Sequence, residues 1–255
     1  MPMSKSAYQL NRDVEALIDR KGTTPDAYTS DEKAMLTRYS GYGGLDQYLD
    51  ESNPGILYEF FTPKKIVQKM WGLALHHGFT GGAVLEPAAG NGVFLSQTPA
   101  RHELKSDAVF TAIEPQKYSH AILQILYPEA VAKKQVFEQL FIDESRNDTV
   151  RGNVTPTYDL VIGNPPYGSI RGMSGGRYMA MGEQQYTSAR AYDEYFIIRG
   201  LDLLKAGGLL IYIIGSEVAN GGVPLLQRKK TKASAEIAKR GVLIDAYRLP
   251  NGVFD

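Results

Sequence analysis

The amino-acid sequence predicts an α/β fold in which a doubly wound, mainly parallel sheet follows an N-terminal helical extension. Three observations indicate this fold. Short, continuously apolar runs recur after residue 80, as expected of parallel strands that helices cover on both faces. Segments with helical spacing of apolar residues alternate with those runs. Only helical patterns precede residue 56.

The extension, residues 1–55, contains two predicted helices. Residues 8–21 place apolar side chains at helical spacing, and Gly22 ends the pattern. Ser30, followed by two acidic residues, is the expected N-cap of a second helix that runs to Tyr39 and breaks at Gly41. We therefore expect a small helical unit ahead of the sheet.

The main domain, residues 56–255, carries the alternating pattern. Its first helix should follow Pro63. Strands are predicted at residues 83–86, 108–113, 160–162, 209–214 and 242–247. Further helices are predicted at residues 119–126, 195–204 and 232–240. Because this fold usually adds one more strand beside the last of these, we expect a domain truncated before its final strand.

Composition excludes several classes of protein. Lys and Arg together number 28, as do Asp and Glu, so the formal net charge is zero, which argues against a strongly basic nucleic-acid coat protein. The absence of cysteine excludes disulfides, thiolate zinc sites and cysteine nucleophiles. His76 and His77 have no acids at metal-binding spacing, so no metal site is expected. Without a membrane-length apolar run or a signal peptide, a cytoplasmic protein is expected.

The ends of the first two strands suggest a nucleoside site, because ligands of doubly wound sheets bind outside the carboxyl ends of the strands. The first strand ends at Glu86-Pro87 and leads into Gly90-Asn91-Gly92, where missing Cβ atoms let the backbone approach a ligand. The second ends at Glu114, a carboxylate suited to ribose hydroxyls. The alternative interpretations are a tight strand-to-helix turn for the glycine pair and a solvated strand-end acid for Glu114. Together these features favour a nucleoside without phosphates, and S-adenosylmethionine fits.

The strongest chemical signal is Asn164-Pro165-Pro166-Tyr167, which follows the third predicted strand. Two prolines fix the backbone and remove two N–H donors, leaving carbonyl groups free to point into the cleft. The Asn164 amide oxygen and the Pro165 carbonyl can then hold both hydrogens of a planar amino group for attack on a methyl sulfonium. Tyr167 supplies a flat face for the ring that carries this amino group.

In these motifs the sequence resembles the N6-adenine DNA methyltransferase family, whose cofactor motifs precede the catalytic one. Residues 164–167 match the catalytic tetrapeptide, residues 84–92 match the first cofactor motif, and Glu114 matches the ribose-binding acid. Residues 60–63 are similar to an additional cofactor motif, and residues 248–254 resemble the segment whose phenylalanine packs against the extruded base. The resemblance implies a Rossmann-like, S-adenosylmethionine-dependent methyltransferase fold.

A narrower resemblance covers residues 36–45, which are similar to a segment that precedes the methylase domain of large phage and mobile-element proteins. Those proteins join an adenine methylase to a helicase-like region. This resemblance implies a C-terminal helicase-like or target-recognition region in the full-length protein and a restriction-modification or anti-restriction role. It also places Glu138 where the family contacts the cofactor's adenine, although the usual residue there is Asp before an aromatic.

The resemblance implies methyl transfer from S-adenosylmethionine, with S-adenosylhomocysteine as product, to the N6 amino group of a flipped-out adenine in DNA. It implies that the catalytic residues are Asn164, Pro165, Pro166 and Tyr167, and that Tyr167 and Phe254 pack against the base. The implied cofactor-binding residues are Phe61, Thr62, Pro63, Glu86, Pro87, Gly90, Gly92, Glu114 and Glu138.

The glycine-rich stretch after the catalytic motif contains Arg171, Arg177 and Arg190, and we expect it to be a mobile loop that closes over the substrate or contacts DNA phosphate. A disordered surface loop is the alternative interpretation of this stretch. Four alternatives to the whole function stay open. They are a protein glutamine-amide methyltransferase, a cytosine-N4 methyltransferase (related enzymes tend to carry Ser at position 164), an RNA methyltransferase, and a non-catalytic DNA-binding module that retains the fold.

Overall fold

The computed structural model describes residues 5–42, 61–143, 148–149, 155–166, 189, 191–215 and 231–250. Its strands are β1 (Gly82–Glu86), β2 (Ala108–Ile113), β3 (Val131–Lys133), β4 (Ile142–Asp143), β5 (Asp148–Thr149), β6 (Tyr158–Gly163) and β7 (Leu204–Tyr212). Its α-helices are α1 (Lys5–Lys21), α2 (Ser30–Leu36), α3 (Lys64–His76), α4 (Val93–Ser96), α5 (Lys117–Leu126), α6 (Tyr192–Asp202) and α7 (Lys232–Arg240).

Five strands form the main sheet in the order β3-β2-β1-β6-β7, and all of its strand pairs are parallel. The chain winds from β1 outward through β2 to β3, and then returns to the other side of β1 with β6 and β7. The predicted doubly wound parallel sheet is confirmed. The winding reverses between β1 and β6, which is the place where such sheets bind ligands.

Successive residues of the central strands face two different cores, because side chains alternate across a sheet. Val84 of β1 lies in the core that contains Trp71 of α3. Its neighbour Leu85 lies in the core that contains Val161 of β6 and Tyr195 of α6. Val84, Leu85, Val161 and Tyr195 are fully buried. Burial on both faces requires apolar residues at consecutive positions, and this requirement made the strands recognisable in the sequence.

The structure has the two helices α1 and α2 where helical patterns were predicted, and the boundaries of the second helix differ from the prediction. Thr29, rather than Ser30, is the N-cap of α2, and it forms a capping box with Glu32. Because Ser and Thr can both cap a helix, the predicted N-cap was wrong by one residue. The helix ends at Leu36 instead of continuing to Tyr39.

The N-terminal helices pack on α5 and share a hydrophobic cluster with it. Val14 and Ile18 of α1 and Leu36 of α2 meet Ile122 and Ile125 of α5 in this cluster. At the cluster's edge, the Lys117 Nζ atom lies 2.7 Å from the Asp19 Oδ1 atom. The helices are therefore attached to the sheet through α5, which connects β2 to β3.

The strand predicted at residues 242–247 is wrong, because residues 241–250 have no regular secondary structure. The side chains of Val242 and Ile244 are 89% and 61% exposed. A strand needs a neighbour for its N–H and C=O groups, and β7 pairs only with β6 among the described residues. Apolar, β-branched composition alone does not supply that neighbour.

Other boundaries also differ from the prediction. β7 begins at Leu204 rather than residue 209, and its pairing with β6 contains an irregularity between Tyr158 and Leu160. The three-residue strand β3 was not predicted, since it contains Lys133 and lacks an apolar run. The division proposed at residues 55–56 falls outside the described residues. In the part of the chain that the structure describes, no helix is long and apolar enough to cross a membrane.

Replacement of Ile122 by alanine tests the attachment of the N-terminal helices. Ile122 is fully buried between α5 and those helices, so Ile122→Ala should lower the free energy of unfolding by about 2–5 kcal/mol. The matched control Ile244→Ala removes the same atoms from an exposed position and should change it by less than about 0.5 kcal/mol. Urea denaturation measures both, and equal losses would contradict the described packing.

Candidate functional site

A cavity of about 180 Å³ lies at the carboxyl ends of β1, β2 and β6. The segments that follow these strands provide much of its lining, and the remainder comes from the residues before α3, from helices α4, α5 and α6, and from residues 136–138. The lining residues include Phe61, Thr62, Glu86, Pro87, Gly90, Glu114, Gln116, Ser119, Phe137, Glu138, Asn164, Pro166, Tyr192 and Phe196. The cavity therefore occupies the point where the winding of the sheet reverses.

The loop after β1 passes close beneath an aromatic ring. Gly90 has a φ of 54°, and a Cβ atom there would lie 2.5 Å from the Cε1 atom of Phe61. Glycine is therefore required at this position by backbone conformation and by space. Gly92 has a φ of 82° and is the N-cap of α4. It faces Leu123 of α5 and Tyr127, the residue directly after that helix, and it does not line the cavity.

Glu114, directly after β2, joins two of the strand-end loops. Its Oε2 atom accepts a 2.8 Å hydrogen bond from the Gly90 N–H group, and its Oε1 atom accepts a 2.7 Å bond from the Gln116 N–H group. The side chain is only 6% exposed. Because an ionised carboxylate has about four lone-pair sites, it can accept further hydrogen bonds from a ligand in the cavity.

Glu86, at the end of β1, is the most unusual group of the site. The residue is 1% exposed, and its Oε2 atom has no hydrogen-bond partner among the described residues. Burial, followed by the charge of Glu114, raises the pKa of the Glu86 carboxyl well above its ordinary value. A buried carboxyl group without a partner can be neutralised by a cationic group that enters the cavity.

The Asn-Pro-Pro segment leaves the end of β6 beside the end of β1. A Cβ atom on Gly163 would lie 3.6 Å from the Cδ atom of Pro87 and 3.8 Å from the Cγ atom of Glu86. Asn164 and Pro166 line the cavity, whereas Pro165 is buried outside its lining. The pairing of β6 with β1 thus brings the two motifs to one site from positions more than 70 residues apart in the sequence.

Aromatic side chains form another wall of the cavity. The rings of Phe137 and Phe196 stack with centroids 4.7 Å apart and an interplanar angle of 28°. Glu138, 4% exposed, follows Phe137 in the same 3-10 turn, and Tyr192 precedes Phe196 by four residues on α6. Sequence reasoning gave no site role to Tyr192 or Phe196, because the side of the sheet that α6 covers is decided by tertiary packing.

Ser119 and Gln116 were also missed. Ser119 is 1% exposed, and its hydroxyl has no hydrogen-bond partner among the described residues. Both residues lie within five positions of Glu114, at the beginning of α5. Since the start of a helix that follows a strand lies at the same edge of the sheet, this spacing was a signal that could have identified them.

Of the predicted site residues that the structure describes, most line the cavity. Phe61, Thr62, Glu86, Pro87, Gly90, Glu114, Glu138, Asn164 and Pro166 line one cavity. Pro63, Gly92 and Pro165 lie next to lining residues without lining it themselves. Tyr167, Phe254, Arg171, Arg177 and Arg190 fall outside the described residues. The roles assigned to all of these residues stay predictions.

Comparison with known proteins identifies a family and several relatives. The family model described as Eco57I restriction-modification methylase matches residues 66–247. The chain is 29% identical over 227 residues to defense against restriction protein B of Escherichia phage P1, covering 89% of this chain and 8% of that protein. It is 28% identical over 170 residues to the type II methyltransferase M.HincII of Haemophilus influenzae, covering 65% of this chain and 29% of that protein. The chain therefore spans less than a third of either relative.

A solved structure supports the fold. The methyltransferase subunit of a type I restriction-modification system from Streptococcus thermophilus aligns with a TM-score of 0.50 and 16% sequence identity. The alignment covers 92% of this chain and 52% of the Streptococcus chain. At this level of identity the likeness concerns the fold alone.

Gly90→Ala tests the close approach of Phe61 to the loop after β1. Gly22, with a φ of 73°, has no atom within 4 Å of a Cβ added there, so Gly22→Ala carries only the backbone cost of about 1–2 kcal/mol. Gly90→Ala must also displace Phe61 and should lose about 1–3 kcal/mol more in the free energy of unfolding. Denaturant titration compares the free energies of unfolding of the two variants. Equal losses would show that Phe61 does not block a Cβ atom at position 90.

The pH dependence of stability tests the buried carboxyl group of Glu86. Because folding raises the pKa of Glu86, its contribution is fully present below the unfolded pKa of about 4.3 and is lost as the pH rises through the folded pKa. Glu86→Gln removes this loss, so the variant should gain stability relative to wild type between pH 5 and pH 8. Thermal unfolding of the ligand-free protein measures the gain.

The exposed residue Glu129 offers the control for this experiment. The difference in melting temperature between Glu129→Gln and wild type should stay constant across the same pH range. Parallel profiles for wild type and Glu86→Gln would contradict the described burial of Glu86.

Proposed function

The chain belongs to the Eco57I restriction-modification methylase family, and from this premise we propose that it transfers a methyl group from S-adenosylmethionine to the N6 amino group of an adenine in DNA. One observation carries the proposal. A single cavity brings Asn164 and Pro166 together with the Gly90 loop and the buried carboxyl groups of Glu86 and Glu114. This grouping supports a site that combines amino-group recognition with nucleoside binding.

The residues present fit S-adenosylmethionine. Glu86 has a buried oxygen without a partner, which suits the cationic methionine end of the cofactor. Glu114 suits the ribose hydroxyls, and it already fixes the loop that would pass beneath the ligand. Phe61 and Thr62 line the same cavity beside Gly90, and Glu138 lies with the aromatic wall, where it would face the adenine. When bound, the cofactor supplies an electrophilic methyl group.

Asn164 and Pro165 would orient the target. The Asn164 amide oxygen and the Pro165 carbonyl can accept both hydrogens of an exocyclic amino group, which directs the nitrogen lone pair toward the methyl donor. No general base is required before attack, because the proton can leave after the nitrogen has become cationic. Since an adenine inside a duplex cannot reach the cavity, it must be flipped out at a cost of a few kcal/mol.

Stacking of the flipped base on Tyr167 would return about 1–3 kcal/mol of that cost. Phe254 is proposed to pack against the same base, and Arg171, Arg177 and Arg190 are proposed to bind DNA phosphates. The relatives extend well beyond the matched region, which supports a target-recognition or helicase-like region elsewhere in the full-length protein. The name of the phage P1 relative supports an anti-restriction role.

Asn164→Ala tests the proposed catalytic role. Loss of the amide acceptor should reduce methyl transfer to unmethylated DNA by about 100-fold or more, in the range seen when one transition-state hydrogen bond is removed. Nucleoside mass spectrometry of the DNA measures N6-methyladenine. Calorimetric binding of S-adenosylhomocysteine should change little, and Asn164→Asp, which keeps an oxygen acceptor, should retain more activity than Asn164→Ala.

Substrate identity is decided in the same assay with the wild-type chain and labelled S-adenosylmethionine. Label in DNA as N6-methyladenine supports the proposal. Label confined to protein or to RNA would replace it with a glutamine-amide or RNA methyltransferase. Cofactor binding without label in any acceptor would indicate a non-catalytic module, and normal turnover by Asn164→Ala would refute the proposed role of Asn164.

A further inference from the structure

The N-terminal helical segment, residues 5–42, contacts the loop that forms part of the cavity wall. This glycine loop comprises residues 87–92. None of the residues 5–42 lines the cavity, and the matched family region begins only at residue 66. Tyr39 nevertheless connects this segment to the loop in two ways. Its carbonyl group accepts a hydrogen bond from Asn91, and its ring contacts Phe61, which lies over Gly90.

The first of these contacts is anchored by Asn11 of α1, whose side chain is fully buried. Its Nδ2 group donates a hydrogen bond to the Gly41 carbonyl, and its Oδ1 atom accepts a 3.0 Å bond from the Ser40 N–H group. Both ends of the amide are thus used to hold the backbone that follows α2. Because Asn11 holds Ser40 and Gly41, it also restrains Tyr39, the residue that precedes them.

The carbonyl group of Tyr39 accepts a 2.8 Å hydrogen bond from the Asn91 Nδ2 group. Asn91 lies between Gly90 and Gly92, which both have a positive φ. Glycine restricts its own backbone less than any other residue does, so a loop with glycine on both sides of Asn91 has little intrinsic preference for one conformation. The hydrogen bond from Asn91 to the Tyr39 carbonyl group adds a restraint to those that the Gly90 and Gly92 N–H groups already provide.

The second contact passes through aromatic rings. The ring of Tyr39, which is 3% exposed, meets Phe61 edge-on with centroids 6.5 Å apart. Phe61 in turn covers Gly90 so closely that a Cβ atom there would lie 2.5 Å from its ring. The Gly90 N–H group donates to Glu114 on the other side of the loop. Tyr39 therefore supports the loop through its backbone and through its side chain.

We infer that the N-terminal helical segment holds the glycine loop in its ligand-binding conformation, and that Asn11 is a positioning residue that acts through Tyr39 and Asn91. The shared cluster with α5 attaches the segment to the sheet, because Ile18 and Leu36 lie in this cluster with Ile122. The inference rests on the proposed function only for the identity of the ligand. A loop that is ordered before binding raises the affinity for the ligand, because less of the binding free energy is lost in ordering the loop.

Hydrogen–deuterium exchange and ligand binding together test this inference on the whole chain. Asn11→Ala should speed amide exchange of residues 88–92 in the ligand-free protein. It should also weaken S-adenosylhomocysteine binding by roughly tenfold, as expected for loss of a buried hydrogen-bonding partner. At saturating S-adenosylmethionine, kcat should stay near wild type while the KM for S-adenosylmethionine rises, since Asn11 does not line the cavity.

Val14→Ala is the matched control, because Val14 is equally buried on α1 and packs in the shared cluster. It should lower the melting temperature without a comparable change in loop exchange or affinity. If Asn11→Ala does not fold, Tyr39→Leu replaces it, since leucine keeps an apolar side chain in the cluster and removes the ring contact with Phe61. Tyr39→Leu should also speed exchange of residues 88–92.

Three results would overturn the inference. They are unchanged loop exchange in Asn11→Ala, unchanged loop exchange in Tyr39→Leu, and changes in Val14→Ala as large as those in Asn11→Ala. Failure of the wild-type chain to bind S-adenosylhomocysteine would instead overturn the proposed cofactor. In that case the exchange experiment, which needs no ligand, still decides whether Asn11 positions the loop.

Discussion

The two hydrogen bonds that the Glu114 carboxylate accepts from Gly90 and Gln116 hold the candidate site together. They fix the loops after β1 and β2 relative to each other, and the pairing of β1 with β6 brings Asn164 to the same place. The position of Phe61 over Gly90 depends on this arrangement. A single buried carboxylate therefore connects the topology of the sheet to the shape of the cavity.

The same carboxylate has an electrostatic consequence. Its charge adds to the effect of burial on Glu86, whose pKa is raised and whose Oε2 atom has no partner among the described residues. Because burial and this charge disfavour the ionised form of Glu86, its carboxyl group lowers the stability of the ligand-free protein as the pH rises above the unfolded pKa. A buried carboxyl oxygen without a partner favours a cationic ligand, and the proposed binding of S-adenosylmethionine rests on this property.

The segment before residue 66 extends the site beyond the matched family region. Phe61 lines the cavity directly, whereas Tyr39 and Asn11 are connected to the cavity wall through hydrogen bonds and one ring contact. A loop with glycine on both sides of Asn91 has little intrinsic preference for one conformation, so contacts from outside the loop restrain it. The proposed role of the N-terminal helices is to hold this loop for ligand binding without contacting the ligand.

The sequence by itself determined the parallel α/β fold, because two buried faces demand consecutive apolar residues such as Val84 and Leu85. It also located the strand-end motifs, since glycine, proline and acidic residues at those ends have specific backbone and charge properties. Tertiary structure alone decided which distant residues meet. Residues 242–247 have strand composition but no described neighbour to pair with. Tyr192 reaches the cavity, and Tyr39 reaches Asn91, only because packing against the sheet brings separate parts of the chain together.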